Sequence, residues 1–372
     1  MKAALHTPLA TRRGLLQAAA ATLLAGARPA WPAADAFTWV PAQADGAALT
    51  EQLDQGVARG ELPGLHGVFV ARGGRVLVER YYPGPDDRWG RPMGPVAHGP
   101  LVPHDLRSVS KSVVGLLYGI ALAEGRVPAP DTPLLDAFAA HADLARDERR
   151  RAIRVADALG MSMGLAWNED LPYNDPRNSE IAMERSADRI RYVLDRPIVA
   201  APGTQWRYNG GTTVLLADLI TRGSGLPLLR YAQDKLFTPL GITEAEWTAG
   251  PSGQPAAASG LRLRLPDLAR IGQLVLQQGE WQGRTVVPKA WLTESLTPRL
   301  PAWDGLKYGY QWFIAQNADG SPVWMAIGLG GQRLVVSPSL QMVYGLTMGN
   351  YTRADQLQRT LAVQRLLHAA VR

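Results

Sequence analysis

The apolar residues Val109, Val113, Leu116, Leu117 and Ile120 recur at intervals of three and four, which predicts a helix with one continuous apolar face. Its stop is Gly125, a residue suited to the left-handed conformation that closes helices. Residues 47–59 carry a helical pattern too. Residues 67–82 read differently: two runs rich in Val and Tyr flank Arg72-Gly73-Gly74, which predicts a β-hairpin. A connection rich in Gly and Pro follows, over residues 83–103.

From 128 to 248, polar loops separate helical patterns and strand signals are few; residues 151–159 read as one helix, and helical spacing returns at 267–278 and 289–296. The last part of the chain changes character. Residues 310–315, 323–326, 333–336 and 342–348 alternate or run apolar between turn residues, and 356–371 is helical again. Strands at both ends with helices between them are most economically joined in one antiparallel sheet. The expectation is an α+β fold in which residues 37–127 and 249–372 build a lobe with that sheet, residues 128–248 form an inserted all-helical lobe, and a site lies between the two. A length of 372 residues suits two lobes, and 46% hydrophobic with 19% charged residues excludes a disordered or collagen-like chain.

The first 36 residues are set apart as a targeting segment. Arg12-Arg13 precede Gly14-Leu15-Leu16-Gln17 and an alanine-rich run too short to span a bilayer, a pattern similar to a twin-arginine export signal. Small residues offer cleavage after Ala27 or after Ala36. That segment holds four basic residues and one acidic residue, so 35 basic and 32 acidic residues remain of the 39 and 33 in the whole chain. Such a balance gives no reason to expect nucleic acid as a partner. Arg149-Arg150-Arg151 with Arg154 reads as a solvated face. The absence of cysteine removes disulfides, a thiolate nucleophile and a lipoprotein anchor, so the expected location is periplasmic or secreted, with no stable membrane anchor. The six histidines show no ligand spacing along the sequence, and neither a metal nor a cofactor is expected.

Two serines compete as nucleophile. Gly160-Met161-Ser162-Met163-Gly164 fits the Gly-x-Ser-x-Gly elbow, which needs a buried strand before the serine and a helix after it. The residues before Ser162 read as helix, so a structural turn is the better reading. Ser108 and Lys111 fit Ser-x-x-Lys at the start of the predicted helix, where Asp105 is a candidate cap and a three-residue step puts lysine on the serine's face one turn later. Only five lysines occur, so chance would supply such a pair about 0.2 times. The helix N-terminus and burial both disfavour an ammonium, which predicts a lysine able to act as base near neutral pH. The competing reading is a capping serine beside a surface lysine. Tyr208 precedes another helical run, and Gly328-Leu329-Gly330-Gly331-Gln332 offers backbone N–H groups to a developing oxyanion.

Together LRSVSKSVVGLLYGIALAEGRV, VADALGMSMGLAW, APGTQWRYNGGTTVLLADLI and IGLGGQRLVVSP resemble the serine β-lactamase and penicillin-binding-protein superfamily, in its class C-like branch. The resemblance implies a β-lactamase/transpeptidase-like fold in which Ser108 attacks a carbonyl, Lys111 takes its proton, and Tyr208 shuttles protons to the leaving group. It also implies an oxyanion hole from the N–H groups of Ser108 and Leu329, with substrate contacts at Asn209, Gly328, Gly330 and Tyr173, although a loop tyrosine at the surface reads Tyr173 equally well. Two positions depart from the family pattern. Gly210 stands where Tyr-x-Asn would place its asparagine, and Ala326-Ile327-Gly328 lacks the cation of Lys-Thr-Gly or His-Thr-Gly. The pattern is therefore more similar to the 6-aminohexanoate-dimer hydrolase and esterase-like subgroup. This implies a serine hydrolase of small esters or unusual amides; the alternatives are a β-lactamase or DD-peptidase, and a non-catalytic cell-wall-binding module.

Overall fold

The computed structural model describes residues 39–41 and 46–371, so the expected targeting segment lies outside the described residues. Helix α1 (Ala47–Ala58) is followed by strands β1 (Leu65–Arg72) and β2 (Arg75–Tyr81), the expected hairpin. Its turn residues Gly73 and Gly74 take φ +55° and +76°, the positive values that match the twist of paired strands. The Gly/Pro-rich connection carries no strand signal, yet β3 (Gly84–Arg88) and β4 (Arg91–Val96) form a second, separate hairpin. Its turn places Trp89 and Gly90 at φ +47° and +86°, and a tryptophan gives no sequence signal for that conformation.

Helix α2 (Val109–Ala123) follows the expected pattern, and Gly125 closes it at φ +65°. Every residue from Val109 to Ala121 is buried, as befits a helix enclosed on all sides rather than one resting on a surface. Between 128 and 245 the regular elements are helical, among them α3 (Val155–Leu159), α4 (Ser179–Glu184) and α5 (Gly210–Ser224). The predicted helix at 151–159 is interrupted after Arg151, and Arg150 is a correction to the solvated basic face: it is buried and donates to the carbonyls of Leu194 and Arg196.

Helix α6 (Leu265–Leu276), strands β5 (Phe313–Gln316), β6 (Pro322–Gly328), β7 (Gln332–Ser337) and β8 (Met342–Met348), and helix α7 (Gln356–Val371) complete the frame. The main sheet runs β2–β1–β8–β7–β6–β5 with every one of these neighbours antiparallel, so strands from the two ends of the chain meet at β1 and β8. Alternation along the strands sorts the core into two layers. Val68, Val70, Val335, Tyr344 and Leu346 pack with Leu49 and Leu53 of α1 and Val363 and Leu367 of α7. Phe69, Ala71, Leu334, Val336 and Val343 face the other way, into a larger core with α2, α5 and α6. That arrangement is α+β, an antiparallel sheet covered by helices on both faces. It buries α2 next to the sheet and leaves the first turn of α2 beside the end of β6, where a Cβ on Gly328 would lie 2.4 Å from the Leu106 carbonyl oxygen.

Candidate active site

Ser108 is the N-cap residue of α2, and the residue before it, Arg107, is held at φ +48°. A non-glycine residue in that region is costly and persists only where its surroundings fix it. Here the guanidinium pairs with Asp87 and with Asp105 at 3.4 Å and covers the ring of Tyr351 at 4.6 Å. Asp105, the candidate cap, does not cap α2; it accepts from the backbone N–H of Trp89 at 2.6 Å and of Arg107 at 3.4 Å. The Ser110 hydroxyl closes the turn by donating to the Arg107 carbonyl at 2.6 Å and accepting from the Leu261 N–H at 3.0 Å.

One turn along the same face, Lys111 Nζ donates to Ser108 Oγ at 3.0 Å and to the Ala258 carbonyl at 3.0 Å, and it lies 4.9 Å from the centre of the Tyr208 ring. Burial raises the Tyr208 hydroxyl, and Lys111 and then Ser108 act against that rise. Ser108 and Lys111, one helical turn apart, and Tyr208, from a distant part of the sequence, thus form one cluster. The expected protonation state of Lys111 does not follow. Burial alone pulls the ammonium down, but Tyr208, Glu180 and Glu169 together outweigh it, and the net shift is upward.

Those two glutamates carried no sequence signal. Glu169 Oε1 accepts from Trp167 Nε1 at 2.6 Å and from the Gly210 N–H, and its Oε2 accepts from Tyr173 Oη at 2.9 Å. Glu180 lies 3.7 Å from Lys111 Nζ and accepts from the Ser259 hydroxyl at 2.8 Å, which itself accepts from Trp89 Nε1 at 3.0 Å. Burial, and then repulsion from Glu180, raise the Glu169 carboxyl to about 8, with Lys111 acting against that rise. Their position accounts for the first departure in the motif. A Cβ on Gly210 would sit 2.3 Å from Glu180 Oε2 and 3.1 Å from Glu169 Oε1, so the carboxylates fill the space an asparagine side chain there would take.

The other sequence candidates distribute as follows. Asn209 is the N-cap of α5, its side-chain oxygen accepting from the Thr212 N–H at 3.3 Å. Tyr173 is half-buried and tied to Glu169 rather than free at the surface. Gly328 ends β6 against Leu106, and Leu329 lies in the turn between β6 and β7. The Gly330 N–H donates to Gln356 Oε1 at 2.7 Å, and Gly330, at φ +86°, makes room for the ring of Tyr351. Ser162 follows the short helix α3, not a strand; its hydroxyl donates to Asp157 at 3.4 Å and its N–H to the Asp157 carbonyl at 2.7 Å. That is a turn at a helix end, without the strained strand-to-helix exposure an elbow requires.

Beside Tyr208 stands a wall of aromatic rings. Trp303 lies 4.7 Å from it, centre to centre, and is 41% exposed; Trp206, Tyr308 and Phe313 continue the wall inward. Most tryptophans elsewhere, such as Trp291 and Trp312, are buried in cores.

Residues 49–367 match the family model described as Beta-lactamase, and the chain belongs to the beta-lactamase family. It is 29% identical to the 6-aminohexanoate-dimer hydrolase of Paenarthrobacter ureafaciens over 74% of this chain and 70% of that protein. Among solved structures, a penicillin-binding-protein homologue from Caulobacter crescentus superposes with a TM-score of 0.65 at 19% identity, covering 90% of this chain and 99% of that one. A family VIII carboxylesterase superposes with a TM-score of 0.64 at 12% identity, covering 88% and 99%. The family match and the curated relative support a hydrolase, and the solved structures show its beta-lactamase fold.

Proposed function

We propose that the protein is a serine hydrolase that cleaves small esters or unusual amides through an acyl-enzyme, after export from the cytoplasm. The observation that carries this reading is the Ser108 hydroxyl held 3.0 Å from Lys111 Nζ at the start of a buried helix, with the Tyr208 ring 4.9 Å from the same Nζ. Ser108 Oγ attacks the carbonyl, its proton passes to the Lys111–Tyr208 pair, and the pair returns it to the leaving group. Because Lys111 rests as an ammonium, the pair acts as base only after losing one proton. The oxyanion is received by the N–H of Ser108 and that of Leu329, on the turn beside it.

The substrate class rests on what surrounds these groups. The aromatic wall suits an apolar acyl or leaving group. Ala326, where the family's cation would stand, is buried and uncharged, so a substrate carboxylate has no partner at that position, which disfavours β-lactams and peptidoglycan stems. The Paenarthrobacter relative is named for hydrolysis of a 6-aminohexanoate dimer, which supports an amide within the proposed class.

The test is covalent. Exposure to a fluorophosphonate probe followed by peptide mapping is expected to place one adduct on Ser108, lost in Ser108→Ala and retained in Ser162→Ala. An adduct on Ser162 overturns the assignment, and an unlabelled protein that still binds cell-wall fragments favours the non-catalytic module.

A further inference from the structure

Behind the nucleophile loop, and outside the machinery just described, three of the six histidines meet. His66 comes from β1, His104 from the two-residue strand His104–Asp105, and His98 from the segment after β4. Each offers one nitrogen, and the three nitrogens lie within 4.8 Å of one another. Asp86 of β3 lies beside them, its Oδ1 3.6 Å from His104 Nε2. His66, His104 and Asp86 are 1%, 3% and 5% exposed.

The hydrogen-bond inventory leaves this cluster short of partners. His104 Nδ1 donates to the Asp105 carbonyl at 3.0 Å, which makes its Nε2 the lone-pair nitrogen. That Nε2 lies 3.0 Å from His66 Nδ1 and 3.6 Å from Asp86 Oδ1. His66 Nε2, His98 Nε2 and Asp86 Oδ2 are all buried with no hydrogen-bond partner. Buried polar atoms are ordinarily satisfied; the Nε2 edge of His66 is closed by Gly84 and Gly349, but the lone pairs of His98 Nε2 and Asp86 Oδ2 remain free for a bound group.

We infer that His66, His98, His104 and Asp86 form a structural site for a divalent transition-metal ion of the zinc type. Zinc bonds of about 2.0–2.1 Å in a tetrahedron place neighbouring ligand atoms about 3.3–3.4 Å apart. The separations of 3.0 Å and 3.6 Å bracket that edge, so small side-chain shifts admit the ion between His66 Nδ1, His104 Nε2 and Asp86 Oδ1, and His98, whose ring stacks on His66 at 4.0 Å, turns its unpartnered Nε2 in as the fourth ligand. The other face of His66 is closed, because a Cβ on Gly84 or on Gly349 would lie 2.6 Å or 2.7 Å from its Nε2. His104 already shows the usual outer arrangement of a zinc-bound imidazole, with its second nitrogen donating to a backbone carbonyl. Burial lowers His66 to about 3 and His104 to about 4, so both rings are in the neutral form that ligates. Ligation through Nδ1 moves the His66 proton to Nε2, so both rings stay neutral in the bound site.

The site braces the active-site loops. Tyr351 Oη donates to Asp86 Oδ1 at 2.9 Å, and its ring fills the space beside Gly330 and beneath Arg107. An ion fixing Asp86 and His104 therefore ties β3, β1 and the approach to Ser108 to the turn after β6.

The test uses untagged mature protein stripped with a chelator, beside His98→Ala and Asp86→Asn variants whose folding is checked by circular dichroism. His98 is the most accessible ligand, so its loss spares the core. Zinc is titrated by calorimetry, and cobalt by its visible spectrum. The expected result is one zinc per chain, an intense visible band of tetrahedral cobalt, a rise in Tm on adding zinc, and at least tenfold weaker affinity in each variant. No saturable zinc binding, or binding equally tight in wild type and in both folded variants, overturns the inference and leaves a hydrogen-bonded imidazole cluster.

Discussion

Removing the carboxylates beneath Lys111 tests the electrostatics of the proposed mechanism most directly. Glu180 lies 3.7 Å from the ammonium, and at an effective dielectric constant of about 20 Coulomb's law gives about 4.5 kcal/mol for unit charges at that distance. At 1.36 kcal/mol per pH unit this is about three units of stabilisation of the charged lysine, an upper value for Glu180→Gln. The single substitution delivers less. Glu169 is held near 8 in part by Glu180, so relieving that repulsion lets Glu169 ionise and restore part of the lost charge. Lys111→base conversion requires loss of a proton, so the acid limb of kcat/KM lies above neutrality in the wild type, activity rising as pH rises through it. Lowering the lysine's proton affinity moves that limb to lower pH. The expected displacement is about one unit in Glu180→Gln and about two to three in Glu169→Gln/Glu180→Gln. The assay is the pH dependence of kcat/KM for a p-nitrophenyl ester whose leaving group needs no protonation. An acid limb unmoved in the double variant, or displaced to higher pH, refutes the argument that these carboxylates set the state of Lys111.

Three further outcomes follow from the packing. Gly210→Ala puts a methyl group 2.3 Å from Glu180 Oε2, so unfolding experiments are expected to show a loss of about 1–3 kcal/mol, and Gly210→Asn, though it restores the family's asparagine, is expected to lower activity rather than raise it. Gln311, at φ +63°, joins α5 to the end of α3 by accepting from Thr213 at 2.7 Å and donating to the Leu159 carbonyl at 3.0 Å; Gln311→Leu orphans the Thr213 hydroxyl and is expected to cost about 2–4 kcal/mol in denaturant titrations. Trp303→Ala is expected to lower kcat/KM several-fold for aryl esters and much less for acetyl esters of small alcohols, with Tm nearly unchanged because the ring is 41% exposed; equal losses on both substrates would remove the aromatic wall from substrate recognition.

Periodicity in the sequence was enough to place α2, the β1–β2 hairpin and the C-terminal strands, because burial imposes repeats of 3.6 and 2 residues on elements that rest against a core. Ser108 and Lys111 were legible for the same reason, a helix putting residues three apart on one face. The β3–β4 hairpin was not, since its turn depends on a tryptophan at positive φ and its strands carry Pro85, Pro92 and Pro95. Arg150, Asp105 and Asn209 show the same limit: residue type marked each as polar, but only the packed chain decided which carbonyl or N–H it would meet. Glu169 and Glu180 lie far along the chain from Lys111, and the charge they set on it depends on distance and burial, which spacing does not encode. The three histidines are the clearest instance. Separated by 32 and by 6 positions, they have no ligand motif, and it is the pairing of β1 with its neighbours and the fold of the β3–β4 hairpin that bring their nitrogens within 4.8 Å. Local pattern is fixed by neighbours along the chain, whereas the state of a titratable group is fixed by neighbours in space, and those exist only once the sheet has closed around α2.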